Sequence, residues 1–115
     1  RWNNLNPSKT AKIPYIAKIM QNKEITTIAA TDHMKDVPDM VRSWIPGKYT
    51  TLGTDGFGRS DTRENLRKYF EINDQYIAAA AISSLLREGK LTKSKAENAL
   101  KTLEIDPDAP EPSKN

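Results

Sequence analysis

Thr51-Leu52-Gly53-Thr54-Asp55-Gly56-Phe57-Gly58-Arg59-Ser60-Asp61-Thr62-Arg63-Glu64-Asn65-Leu66-Arg67 places three glycines within six positions, between an apolar run and an amphipathic segment. Glycine is used where φ must be positive or the backbone must approach something closely. Arg59, Ser60 and Asp61 add charge and hydrogen-bonding groups where a helix begins. Asp61, with Glu64 three residues on, reads as the N-cap of a capping box. A strand, a glycine turn and a helix in that order form part of a doubly wound α/β sheet.

Upstream, Ile13, Ile16, Ala17, Ile19 and Met20 repeat at helical spacing behind Pro14, which predicts a short helix over 14–21. Ile25–Ala30 is β-branched and uncharged, like a strand covered on both faces. Asp32 to Asp36 form its exit loop. Val37, Met40, Val41, Trp44 and Ile45 predict the apolar stripe of a second helix, ended by Pro46-Gly47. Tyr49–Leu52 is a second strand. Leu66, Tyr69 and Phe70 face inward from the helix after the turn.

A longer helix follows, capped by Asn73 or Asp74. Its inner face is Ile77, Ala78, Ala81, Ile82, Leu85 and Leu86, and Gly89 stands at C′. Thr92 caps a last helix carrying Ala96, Ala99, Leu100 and Leu103, so the chain ends in a helical hairpin. From Asp106 the polar, proline-rich run reads as disordered, leaving one domain over 1–108 and a polar tail over 109–115. Two strands do not make a doubly wound sheet by themselves, so further strands are expected upstream or from another copy.

The 115 residues carry 18 Lys and Arg against 15 acids, a formal +3. That excess is too small and dispersed to point to nucleic acid. Arg63, Arg67, Lys68, Arg87, Lys90, Lys93 and Lys95 are interleaved with Glu64, Glu71, Glu88 and Glu97. Such mixtures form solvated faces, with Glu64–Lys68 and Glu97–Lys101 as the expected i,i+4 pairs. With no cysteine, disulfides and thiolate chemistry are excluded. No apolar run approaches the 18 or so residues of a membrane span, and no signal-peptide core is evident, so a cytosolic setting is expected. Apolar content of 37% is low for a self-sufficient core. With an opening on Arg1-Trp2, it suggests a piece of something larger.

Ligands of open α/β sheets sit at the carboxyl ends of the strands, where Thr31-Asp32-His33 and the Gly53–Ser60 turn should lie side by side. The order G-x-x-G-x-G differs from a dinucleotide fingerprint, and no Gly-Lys-Ser/Thr follows. Asp55 and Asp61 oppose a phosphate there. The favoured reading is a tight turn in which Asp61 caps the helix and Phe57 plugs into an adjoining surface. His33, the only histidine, could pair with Asp32 or Asp36 for acid–base work, but reads as an ordinary surface group. G-x-S-x-G is absent, so a hydrolase triad is unsupported.

Thr27–Met34 (TIAATDHM), Val37–Gly47 (VPDMVRSWIPG), Tyr49–Leu66 (YTTLGTDGFGRSDTRENL) and Phe70–Ile72 run in order with matching gaps. Together they resemble the C-terminal domain of the homodimeric, single-chain pyruvate dehydrogenase decarboxylating component of the transketolase superfamily. The likeness covers roughly residues 1–108, including Arg1-Trp2-Asn3 and Ile13-Pro14-Tyr15. It implies the last part of a three-domain bacterial, cytoplasmic enzyme. That enzyme decarboxylates pyruvate on thiamine diphosphate with magnesium and passes the acetyl group to a lipoyl group of dihydrolipoyl acetyltransferase.

In that family the cofactor sits between the first two domains of opposite subunits, and its Gly-Asp-Gly signature belongs to the first domain. Thr54-Asp55-Gly56 is not that signature. The resemblance therefore carries no catalytic, cofactor-binding or metal residue onto this chain, and the piece alone is expected to be inactive. His33 departs from the tyrosine expected there, and the proline-rich end departs from the family's usual finish. Phe57, Arg59, Ser60 and Asp61 are the candidate interdomain contacts, with Arg59 pairing with a carboxylate of the middle domain. The alternative is a stand-alone α/β interaction module taking a partner or small anion at the Gly53–Ser60 turn.

Overall fold

A computed structural model describes residues 1–20 and 25–114. Two short helices, α1 (Trp2–Leu5) and α2 (Tyr15–Ile19), precede strand β1 (Thr27–Ala30). A one-turn helix α3 (Asp36–Asp39) and a 3-10 turn (Arg42–Trp44) lead to β2 (Tyr49–Leu52). Helices α4 (Arg63–Tyr69), α5 (Asp74–Arg87) and α6 (Lys93–Lys101) follow.

The strands pair in parallel, with Thr27 opposite Tyr49 and Ala30 opposite Leu52. Thr27 N–H donates to Lys48 O at one end, and Thr31 N–H donates to Leu52 O at the other. The architecture is α/β, as expected: a two-stranded parallel sheet touched by α5, with α6 folded back on α5 as a helical hairpin. Thr26 Oγ1 donates to Glu88 Oε1, tying the approach to β1 to the end of α5. Lys90 pairs with the other oxygen of Glu88 at 2.7 Å. Its carboxyl is held below the usual range, first by the Lys90 hydrogen bond and then by that of Thr26.

The caps follow the side chains. Asn73 Oδ1 accepts from Tyr76 N–H, and Thr92 Oγ1 accepts from Lys95 N–H. Gly89, at φ +70°, closes α5 with Gly89 N–H on Leu86 O and Lys90 N–H on Leu85 O. That is the double bond of a Schellman ending. Glu71, at φ 59°, closes α4 in the same way through Lys68 O and Arg67 O. No glycine signals that ending.

Three expectations change. Pro14 is the N-cap of α2, and Gln21 lies outside the described residues. β1 is half-buried with Ala30 exposed, so it is not covered on both faces. The stripe from Val37 to Ile45 breaks into α3 and the 3-10 turn, and Val37, Met40, Val41 and Trp44 are exposed. A helix that short gains little without an apolar body to pack against, and Pro46 forces Ile45 into extended backbone (φ −91°, ψ 117°). Past α6, a 3-10 turn over Pro112–Lys114 lies beside the glycine turn.

Among the described residues, the buried apolar side chains are Phe70, Ile72 and Ala96, and Ser84 is the buried polar one. Phe70 and Ile72 follow the end of α4 and line a depression shared with Asp32 and Thr54 of the strand exits.

Candidate functional site

The two loops leaving the carboxyl ends of β1 and β2 do lie side by side. Thr54 N–H donates to His33 O at 2.8 Å. Lys35 N–H donates to Asp55 Oδ1 at 2.9 Å, and Lys35 Nζ meets Asp55 Oδ2 at 3.3 Å. Gly53 is buried in this seam, where an added Cβ would lie 2.8 Å from both His33 O and Lys35 N. Those neighbours are backbone and cannot swing aside, so close approach fixes glycine here. Gly56 is glycine for its φ of +95°.

Past Gly56 the turn faces outward. Phe57 is 87% exposed, the most exposed large apolar side chain among the described residues. Ser60 is exposed too. The Arg59 guanidinium lies over the Tyr69 ring, 4.1 Å from its centroid. Tyr69 in turn meets Phe70 edge-on at 5.0 Å. This cation–π contact, worth about 0.5–1 kcal/mol at an exposed site, holds Arg59 against α4.

Asp61 is not the N-cap of α4. That position belongs to Thr62, whose Oγ1 accepts from Asn65 N–H at 3.3 Å. Asp61 Oδ1 accepts from Thr62 N–H at 2.6 Å and from Asn65 Nδ2 at 2.8 Å. The Asn65 hydrogen bond, then the Thr62 one, holds its carboxyl below the ordinary carboxylate range. Glu64, one residue too early relative to the true cap, does not complete a capping box.

Asp32 is occupied by a partner that local spacing does not reveal. Arg67 Nε and Nη2 grip its two oxygens at 3.0 and 2.9 Å, joining residues 35 apart. The Arg67 hydrogen bond is the main cause of the lowered Asp32 pKa. Among the described residues, no hydrogen bond joins His33 to Asp32 or Asp36, so the acid–base couple is not assembled. His33 N–H instead donates to Thr31 Oγ1.

A depression of about 380 Å³ lies between the turn and α4, floored by Leu66, Phe70 and Ile72. Asp32, Arg59, Asp61, Arg63 and Arg67 rim it. Three cations face two carboxylates, but Arg59 and Arg67 are already engaged by Tyr69 and Asp32. Of the basic residues weighed for nucleic acid, Arg67, Lys90 and Lys93 are paired with carboxylates. Lys90 pairs with Glu88, and Glu97 pairs with Lys93 at 3.8 Å rather than with Lys101 as spacing suggested. Glu64–Lys68 is not an ion pair among the described residues.

The site is therefore an apolar tip on a hydrogen-bonded pedestal. Sequence reasoning singled out the turn and its outward residues. It missed the Asp55–Lys35, Arg59–Tyr69 and Asp32–Arg67 ties, because each joins segments whose approach only the fold decides.

The chain is similar to known proteins over most of its length. The pyruvate dehydrogenase E1 component of Haemophilus influenzae is 43% identical over 101 residues, 87% of this chain and 11% of that protein. The one from Escherichia coli K12 is 42% identical over 113 residues, 97% of this chain and 12% of that protein. That of Buchnera aphidicola subsp. Baizongia pistaciae is 45% identical over 107 residues, 92% of this chain and 12% of its own length. The chain thus spans only a small part of the relatives it matches. Residues 3–73, more than half of the chain, match the family described as the transketolase-like TK C-terminal domain, and the chain belongs to that family.

Proposed function

We propose that this chain serves as a bracing module of a thiamine diphosphate-dependent pyruvate dehydrogenase decarboxylating component, and does not itself react. In this reading the parent decarboxylates pyruvate and reductively acetylates lipoyl groups of dihydrolipoyl acetyltransferase in the bacterial cytoplasm. The module's own partners are the remainder of its parent chain and the second subunit. Among the described residues, no helix is long and apolar enough to cross a membrane.

One observation carries the bracing role. The chain exposes 8808 Å², whereas a self-contained monomer of this size exposes about 6300 Å². The roughly 2500 Å² excess is on the scale of a permanent interface. Phe57 is the most exposed large apolar side chain among the described residues, and burying that side chain fully contributes about 2 kcal/mol.

The residues present do not fit thiamine diphosphate or its magnesium. Asp55 and Asp61 stand where a diphosphate would approach, and Arg59 and Arg67 are committed to Tyr69 and Asp32. Among the described residues, no three His, Asp or Glu side chains converge as a metal site. In this reading the cofactor belongs to other domains of the parent, and no chemical step is assigned to this chain.

Titration calorimetry of the purified chain with thiamine diphosphate and magnesium tests this. No saturable heat is expected. Tight binding, or release of carbon dioxide from pyruvate by the chain alone, would overturn it.

A further inference from the structure

After α6 the backbone turns back on itself: Glu104, at φ 52°, redirects it toward the glycine turn. Ile105, Ala109 and Pro110 then line a depression shared with Tyr69 and Tyr76 of α4 and α5. The 3-10 turn that follows ends against the glycine turn. A Cβ on Gly56 would lie 3.2 Å from Ser113 Cα and 3.5 Å from Pro112 O. Lys114 pairs with Glu111 at 2.6 Å, and Ser113 Oγ donates to the same carboxylate at 3.0 Å, closing the strap's end on itself. Glu111 also lies within electrostatic reach of Lys35, the residue that clamps Asp55.

The turn is thus held at three places. The β1 exit loop grips it at Thr54 and Asp55, Arg59 lies over Tyr69, and the C-terminal segment lies against Gly56. The last of these supports touches the glycine that directly precedes Phe57.

We propose that residues 105–114 form a strap that fixes the Gly56–Gly58 tip in the shape presenting Phe57, so that this contact is governed by the far end of the chain. The proposal rests on reading the tip as an interdomain contact, but its test does not depend on assembly. When the strap leaves, Gly56 loses the neighbour that limits its backbone, and Phe57 ceases to be displayed in one direction. A partner that needs Phe57 fixed would then bind less well.

Backbone ¹⁵N relaxation on the intact chain and on one ending at Asp108 tests this. Order parameters at Gly56, Phe57 and Gly58 near about 0.85 should fall below about 0.6 in the shortened chain. Those of Thr27–Ala30 and Asp74–Arg87 should not move. Gly56→Ala is the second variant: its Cβ should push the strap away and lower the order parameters at Ser113 and Lys114. Three results would overturn the proposal: equal values at the tip in both chains, a tip already mobile in the intact chain, or collapse of the α5 and α6 signals on shortening. The last would make the segment part of the core. None of the three bears on whether Phe57 braces the parent assembly.

Discussion

Gly53 shows how one missing atom sets the geometry of the carboxyl edge. Any side chain there meets His33 O and Lys35 N at 2.8 Å, both backbone. Gly53→Ala should therefore destabilise the fold by about 2 kcal/mol, the usual cost of forced overpacking, read as a lower thermal midpoint. Gly58→Ala meets nothing within 4 Å and should cost far less. Asp32 supplies a pH-dependent counterpart. Its pKa is lowered in the folded chain, chiefly by Arg67. Its contribution is therefore present above the unfolded carboxylate pKa and is lost as pH falls through the lower folded value. Urea unfolding between about pH 7 and about pH 2 should show that decline, and Asp32→Asn should flatten it. An unchanged slope in the variant would mean that the Arg67 tie contributes nothing.

At the scale of elements, the strands, α5, α6 and their caps were legible because each is written locally. β-branched runs make β1 and β2, Asn73 and Thr92 cap their helices through side-chain oxygens that accept backbone N–H bonds, and Gly89 ends α5. The capping of α4 was misread by one residue, since Asp61 and Thr62 are both good caps and only the backbone decides between them. Thr62→Ala should accordingly cost about 1 kcal/mol, whereas Glu64→Ala should stay within about 0.5 kcal/mol. Chemical denaturation of the two variants checks the order. The stripe from Val37 to Ile45 was misread for another reason. Its spacing is helical, but periodicity does not say whether a body exists to bury it, and here Met40 is 70% exposed. The candidate site was half legible. Its outward residues follow from the glycine spacing, whereas the ties beneath them join distant segments.

On the scale of the whole molecule, the radius of gyration is 17.5 Å, against about 13 Å for a compact domain of about 100 residues. A thin core, a spread outline and an exposed apolar tip belong together in the proposed bracing role, in which the module is completed against other surfaces. Its charged groups fit the same view, because Lys35, Arg59 and Arg67 hold the tip in place rather than wait for a ligand. The most direct measurement replaces the matching 113-residue stretch of the Escherichia coli relative with this chain, then adds Phe57→Ala and Arg59→Ala. Sedimentation and pyruvate turnover are followed against protein concentration. The unaltered graft is expected to assemble and turn over pyruvate. The double variant should fall apart at roughly 10-fold higher concentration or more, as the loss of one buried aromatic implies, with full turnover where it is still assembled. An assembled double variant that has lost turnover, or one whose assembly is unchanged, would contradict a bracing role.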